Sequence, residues 1–338
     1  MKNLYRRWGF WILVIILLIS LVFFTFYGQE NGKEDSREKR VVETVNNHYI
    51  NTKYGLIQAY PNQPNSQYLS ESIGLYMDYL LHIENKEAFN KLYNAFYNYF
   101  VVAQKKETYV KWELDNETNT NALIDDVRII AALQKAGQIF KEPKYEQLAQ
   151  SIQETISKNQ KRQGYYVDFY DWSMEKPSAR ITLSYLTPDF FSLFPNTEQS
   201  KQLLIHLNDN KDPFFPEYFD IEKETYAHNK TVHMIDQLLI AINRKNIGYN
   251  SDNFNQWLLK EWDDKHKLFG QYDRQSLQPS VSYESLSVYY YLQAYLKQIG
   301  KQDVAEEVIK RAKQLENDPI LYNAHFFDYI HSEYIFTY

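Results

Sequence analysis

The stretch YLSESIGLYMDYLL, Tyr68 to Leu81, places a carboxylate where no core needs one. Leu69, Ile73, Met77 and Leu80 recur at helical spacing and form an apolar stripe, with Ser70 as a candidate N-cap. Glu71 lies on a different face, shared with Gly74, Leu75 and Asp78 at i+3, i+4 and i+7. Taken alone, a Glu in a first helical turn is a surface residue that suits the helix dipole. Further carboxylates stand in comparable helical settings: Asp125 and Asp126 near the start of the segment Ile124–Phe140, and Asp236 within Val232–Ile242. Carboxylates gathered at one cleft can exchange protons with a bound molecule if burial or a like charge lifts one pKa toward neutrality. Glu71 needs such a lift, because a helix N-terminus favours its anion. Gly74, one turn on, leaves room beside it for a ligand or a neighbouring element.

The elements that must position these residues are helices. Helical periodicity runs through Glu38–Ile50, Ser70–Leu81, Lys86–Gln104, Ala122–Gly137 and Lys144–Asn159. It continues through Ser184–Phe194, Gln199–Leu207, Thr231–Arg244, Asn253–Trp262, Tyr283–Ile299, Val304–Leu315 and Ala324–Ile335. Strand alternation is rare, and GYYVDFYDW (Gly164–Trp172) reads as a loop with some extended structure. No Pro/Gly/Ser-rich linker divides the chain after residue 40, and no repeat period marks an α-solenoid. About twelve helices in one block of residues 41–338 predict an all-α fold, a ring of six helical hairpins, the (α/α)6 toroid.

Ahead of that block the signals change. Residues 1–7 carry Lys2, Arg6 and Arg7 and no acid, and Trp8–Tyr27 follows as 20 uncharged residues. That length spans a bilayer as a helix, and the basic flank keeps residues 1–7 in the cytoplasm. The segment is longer than a signal-peptide core and ends in FTFYGQE, without a small-x-small site. An uncleaved, single-pass anchor over 8–27 is expected, then a polar linker over 28–40, with the helical domain outside the cell membrane. Without Lys2, Arg6 and Arg7, the 37 basic residues fall to 34 against 43 acidic ones. That balance argues against nucleic acid as a partner. The chain has no Cys, which excludes a disulfide scaffold, a thiolate metal site and a Cys nucleophile. His228 and His233, five apart, share no helix face well, and no metal or other cofactor is expected.

The carboxylate segments carry a family resemblance. Ser70, Glu71, Gly74 and Met77 of SESIGLYM resemble the Ser-Glu-Gly-x-Gly-Tyr-Gly-Met stretch of family 8 glycoside hydrolases, whose Glu is the general acid. IDDVRIIAALQKAGQIF (Ile124–Phe140) is similar to that family's Asp-Ala-Asp-x-x-Ile-Ala helix. Asp126 falls on the second aspartate and Ile124 on the first, with Asp125 next door. LSYLTPDFFSLF (Leu183–Phe194) keeps Ser184, Tyr185 and Pro188 of a Pro-Ser-Tyr motif. VHMIDQLLIAI (Val232–Ile242) stands where the family has its Asp-Ala-x-Arg helix, with Asp236 as the aspartate and no arginine. The set resembles most the divergent, membrane-associated branch encoded with exopolysaccharide synthesis genes in Gram-positive bacteria.

This resemblance implies a hydrolase of a bacterial exopolysaccharide or biofilm glycan, with polysaccharide as substrate, the membrane as anchorage and exopolysaccharide synthesis proteins as further partners. Glycosidic hydrolysis needs one protonated carboxyl for the leaving oxygen and a second carboxylate for water or the sugar; inverting enzymes hold them ~6.5–9.5 Å apart. The implied roles are Glu71 as acid, Asp236 as base, and Asp126 as the carboxylate that holds the sugar and tunes Glu71. Trp112 and Tyr185 are the expected stacking residues, with Asp125 and Tyr170 as further contacts and Tyr166 and Trp172 as rim candidates. Three other readings stay open: a glycan-binding protein without catalysis, a toroid lyase built on residues such as Tyr226 and His228, and a helical scaffold.

Overall fold

The computed structural model describes residues 37–61, 63, 65–207, 212–316 and 323–337. The expected anchor over 8–27 lies outside the described residues; among those described, no helix is long and apolar enough to cross a membrane. The chain divides into two units, one ending at His48 and one running from Tyr49 to Phe336. In the first, helix α1 (residues 37–44) leads into a π-helical turn at Val45–Tyr49.

Among the described residues the second unit holds eleven helices: α2 (Ser70–His82), α3 (Lys86–Tyr99), α4 (Leu123–Phe140), α5 (Pro143–Asn159), α6 (Pro188–Leu193), α7 (Glu198–Ile205), α8 (Met234–Asn246), α9 (Asp252–Lys265), α10 (Leu286–Gln298), α11 (Gln302–Glu316) and α12 (Phe326–Thr337). The sequence makes them antiparallel partners through short turns with local causes. Asn85 caps α3 by accepting the Ala88 N–H at 3.0 Å. Lys141 takes the left-handed conformation at the end of α4, and Pro143 starts α5 two residues later. Gly300, at φ +74°, turns the chain between α10 and α11.

Within this unit the even-numbered helices line the inside and α3, α5, α7, α9 and α11 the outside. The inner α2 buries ten of its thirteen residues, whereas the outer α11 buries only Ala305, Val308 and Ala312 along one stripe. The inner ring closes on itself. Helix α4 packs on α2 and α6, and α8 packs on α10 and on the 3-10 turn Leu183–Tyr185 that precedes α6. Ser285 and Ser287 of α10 bond Asp328 and Phe327 of α12, and Tyr334 of α12 donates to Leu75 O of α2 at 3.1 Å. Tyr76 and Tyr79 of α2 meet Phe326 and Tyr334 edge-on, so the closing seam is aromatic. The expected toroid of hairpins is the architecture of this unit.

The sequence understated its strands. Among the described residues, thirteen segments of two to four residues form small antiparallel ribbons. Strands this short show no period-two pattern. Most sit in the connections that run from an outer helix to the next inner one. They include 101–104 with 107–110, and the three-stranded sheet of Thr225–Ala227, Tyr218–Asp220 and Arg180–Thr182. They therefore gather at the N-terminal ends of the inner helices. The predicted helix Ser184–Phe194 is a 3-10 turn and then α6, broken before Pro188, because a residue ahead of proline avoids the helical region.

Candidate active site

Glu71, Asp125 and Asp236 each lie in the first turn of an inner helix, α2, α4 and α8. The ring brings these N-termini together. Glu71 is half-buried, and burial followed by the charge of Asp125 lifts its pKa to about 7; Asp236 adds to the rise and Arg128 opposes it. These influences outweigh the helix dipole, which alone would hold the carboxyl below its ordinary value.

The supports of Glu71 are specific. Residues 111–114 cross the start of α2: Trp112 O accepts the Ser70 N–H at 2.9 Å, and the Leu114 N–H reaches Tyr68 O at 2.9 Å. Trp112 is thereby placed beside Glu71, with 39% of its surface exposed. Ser70 is not the N-cap that the sequence suggests; Leu69 is, without a side-chain cap bond. The fully buried Ser70 hydroxyl turns instead to Asp125 Oδ2 at 3.0 Å, with Trp112 O at 3.2 Å. The other oxygen of Asp125 accepts from Arg128 at 3.0 Å. Burial raises the Asp125 pKa, while Arg128 and Ser70 restrain the rise. Gly74 is explained by the same residue. A Cβ there would stand 3.1 Å from Arg128 Cδ and 3.3 Å from Ile129 Cγ1, so the glycine makes room for the arginine stem as α4 crosses α2.

Across the cleft, Ser184 Oγ donates to Asp236 Oδ1 at 2.7 Å, and Asn243 of α8 holds the Ser184 carbonyl at 3.2 Å. Burial raises the Asp236 pKa, and Ser184 and His233 pull it back. Tyr185, next along the same turn, stands close enough to Asp168, Asp125 and Asp236 for their charges to oppose its ionisation. Asp168 anchors this corner. It accepts from the Thr182 N–H at 2.6 Å, Thr182 Oγ1 at 2.7 Å and Arg180 Nε at 2.8 Å.

The positions of Asp126 and of three aromatic residues correct the sequence expectations. Asp126 does not tune Glu71; Asp125 does. Asp126 accepts from Asn121, which also bonds Gln160 Oε1 at 2.6 Å and the Tyr170 N–H at 2.8 Å. Successive helical residues are about 100° apart, so Asp125 and Asp126 cannot share a face. Burial pushes the Asp126 carboxyl well above its ordinary pKa, and its Oδ1 has no hydrogen-bond partner among the described residues. Tyr170 is not a cleft wall. Its ring stacks on Tyr109 at 5.7 Å, Tyr109 stacks on Trp172 at 5.0 Å, and the three form a buried cluster. Tyr166, fully buried against Phe190 and Phe194, is likewise core.

Three site residues escaped the sequence reading. Arg128 brings a cation into the cleft; its i+3 spacing from Asp125 is the available signal. Tyr291 of α10 is 9% exposed and close enough to Glu71, Asp236 and Arg128 to feel their charges. Nothing in SVYYYLQAYL separates it from core tyrosines. Tyr283, 52% exposed, sits against Gly270, where a Cβ would come within 2.4 Å of its ring. Gly270 O accepts the Met234 N–H that begins α8, so Tyr283 sits at the start of the Asp236 helix as the Trp112 backbone sits at the start of the Glu71 helix. By contrast, Tyr226 spends its hydroxyl on Leu203 O at 2.8 Å, which leaves it unsuited to the lyase reading.

Residues 38–218 match the sequence profile of glycosyl hydrolases family 8. "Putative lipoprotein YdaJ" of Bacillus subtilis (strain 168) is 30% identical over 285 residues, 81% of this chain and 77% of its own. Among solved structures, PssZ from Listeria monocytogenes aligns with a TM-score of 0.80 at 32% identity, covering 88% of this chain and 94% of PssZ. A novel alpha-amylase from Clostridium perfringens gives 0.74 at 20% identity, over 89% and 97% of the two chains. The endo-beta-1,4-glucanase CMCax from Acetobacter xylinum gives 0.63 at 14%, over 90% and 98%. At these last two identities the likeness is one of fold.

Proposed function

The chain belongs to glycosyl hydrolases family 8 and is a glycoside hydrolase; from that premise we propose that Glu71 is its general acid and Asp236 its general base, acting with inversion on an exopolysaccharide outside the cell. The observation that carries the acid assignment is the environment of Glu71: half-buried, beside two carboxylates, with its pKa lifted to about 7. Such a group is protonated in a useful fraction at neutral pH and can give its proton to the leaving oxygen.

Asp236 is suited to the complementary role. Ser184 fixes one of its oxygens at 2.7 Å and leaves the other to take a proton from water. Its negative charge also helps to keep Glu71 protonated. Asp125, locked by Ser70 and Arg128, serves as a sugar-holding carboxylate and as the near charge that tunes the acid. Arg128 supplies positive charge to the cleft, where the motif arginine three residues after Asp236 is replaced by Leu239. Trp112 and Tyr283 flank the acid and base sides, and Tyr185 lines the floor between; pyranose rings would stack on them and exclude water.

Support for the surface location is the uncharged segment 8–27, together with a relative whose name makes it a lipoprotein. Support for the glycan class is the resemblance of the motifs to the branch encoded with exopolysaccharide synthesis. The test is direct. The full chain, in detergent, is incubated with exopolysaccharide from the producing organism, new reducing ends are counted, and the first anomer formed is read by proton NMR. Release with inverted configuration is expected. Retention of polymer without release would replace hydrolysis by binding.

A further inference from the structure

A second cavity lies further along the inner helices, away from the N-terminal ends that hold the carboxylates. It has a volume of about 380 Å³, within the range of small-molecule sites. Its α2 wall is Leu75 and Asp78, and Asp78 lies seven residues past Glu71, or ~10 Å along the helix. Its α4 wall reaches Lys135, ten residues past Asp125, or ~15 Å. Arg128 and Tyr291 line it as well, and both also act on Glu71. They form the floor of one site and the roof of the other.

The polar groups of this cavity are only partly used by the protein. A guanidinium has five N–H donors, and among the described residues Arg128 spends one, on Asp125. Lys135 is exposed at the cavity wall and bonds none of the described residues. On the acceptor side, Asp78 is fixed through Oδ2 by the Tyr334 hydroxyl at 3.1 Å, and Asp189 faces the same space. His331 is 1% exposed, and burial beside Arg128 lowers its pKa to about 3, so the ring is neutral. Its Nδ1 lies 2.8 Å from Phe327 O, which can only accept, and 3.1 Å from Ser287 Oγ, which itself donates to Phe327 O, so Nδ1 carries the proton. Nε2 is left as a bare acceptor on the wall of the cavity, with no partner among the described residues. The Tyr291 hydroxyl, on a side chain more than nine-tenths buried, also has none.

These groups select the ligand by chemistry. A net anion would meet the carboxylates of Asp78 and Asp189, and a net cation would meet Arg128 and Lys135. A neutral molecule with many hydroxyls can donate to the acceptors and accept from the donors at once. The Tyr290 ring, packed on His331 at 4.6 Å and Tyr334 at 5.7 Å, gives it an apolar wall. We propose that this cavity is a second saccharide site, sized for one or two sugar rings and separate from the Glu71 cleft. The assignment rests on the walls of the cavity and not on the hydrolytic reading. Its consequence is coupling: a sugar that engages the free N–H groups of Arg128 touches the residue that holds Asp125 and restrains the pKa of Glu71.

The experiment is calorimetric titration of the full-length Glu71→Gln chain with glucose, N-acetylglucosamine and cellobiose, each to about 20 mM, because small polar ligands bind in the millimolar range. Three further variants are built on it: Asp78→Asn, Lys135→Ala and Trp112→Ala. Lys135 is exposed, so its removal tests the site without endangering the fold. Saturable binding of at least one probe is expected, weakened about tenfold by Asp78→Asn and by Lys135→Ala, and retained in Trp112→Ala. Two results overturn the proposal: no heat with any of the three probes, or binding that Trp112→Ala abolishes while the two cavity variants leave it intact. Reducing-end release by the native chain is read separately, so failure of this site and failure of the hydrolytic assignment stay distinguishable.

Discussion

Asp125 and Asp126 are adjacent in the chain, both in the first turn of α4 and both buried, yet they serve opposite sides of the helix. Asp125 belongs to the cleft: Ser70 and Arg128 hold it, and its charge acts on Glu71. Asp126 belongs to the wall: with Asn121 and Gln160 it ties α4 to the loop of Val167 and Tyr170. The difference teaches that a carboxylate's role here follows from the face of the helix it occupies. Burial raises the pKa of both, so a raised pKa does not by itself mark the chemistry.

The contrast can be broken by substitution. The largest expected effect is at Asp236, the proposed general base. Asp236→Asn should lower kcat by about 10²–10⁴-fold in a reducing-end assay, the usual worth of a general base. Asp125→Asn should cost about 10²-fold, because the Glu71 pKa falls when its strongest like-charged neighbour is lost. Asp126→Asn should leave kcat within about threefold, since the amide can still accept from Asn121. Equal losses in the two neighbouring variants would dissolve the distinction between cleft and wall.

A smaller effect is thermodynamic. The folded-state pKa of Glu71 lies above its ordinary value of 4.5, at about 7. The stability that goes with the protonated form is therefore complete below pH ~4.5 and is lost as pH rises through about 7. Glu71→Gln should remove that slope and make the chain more stable than the native one at pH 8, by on the order of 2 kcal/mol, as measured by denaturant unfolding at pH 5 and pH 8. The smallest effect belongs to Gly74. Gly74→Ala should cost about 1–2 kcal/mol, because the Arg128 stem and Ile129 must move, and should alter kcat chiefly through Arg128.

Much of this site can be read from the sequence. Glu71 stands off the apolar stripe of its own helix, and helical periodicity alone isolates it. Tyr185 and Asp236 come from motif order, and the structure shows why Ser184 belongs with them: its hydroxyl bonds Asp236. What the sequence withholds are relations between elements. Which of two adjacent aspartates faces inward depends on how α4 is rotated against α2, and that rotation is set by packing at Gly74. Tyr170 and Tyr291 are equally aromatic in the sequence, but one is absorbed into a stack with Tyr109 and the other is left facing the cleft. Residues 183–194 mislead because a proline breaks the apparent helix, and the resulting turn is what brings Ser184 and Tyr185 into the site.

The central claim is that Glu71 delivers the proton. Reducing-end release from the exopolysaccharide of the producing organism should be compared between the native chain and Glu71→Gln at pH 6, with Asp126→Asn as the control for a buried carboxylate outside the cleft. A loss of about 10²–10⁴-fold is expected for Glu71→Gln, with near-native release for Asp126→Asn. Equal release by the native chain and Glu71→Gln would contradict the claim.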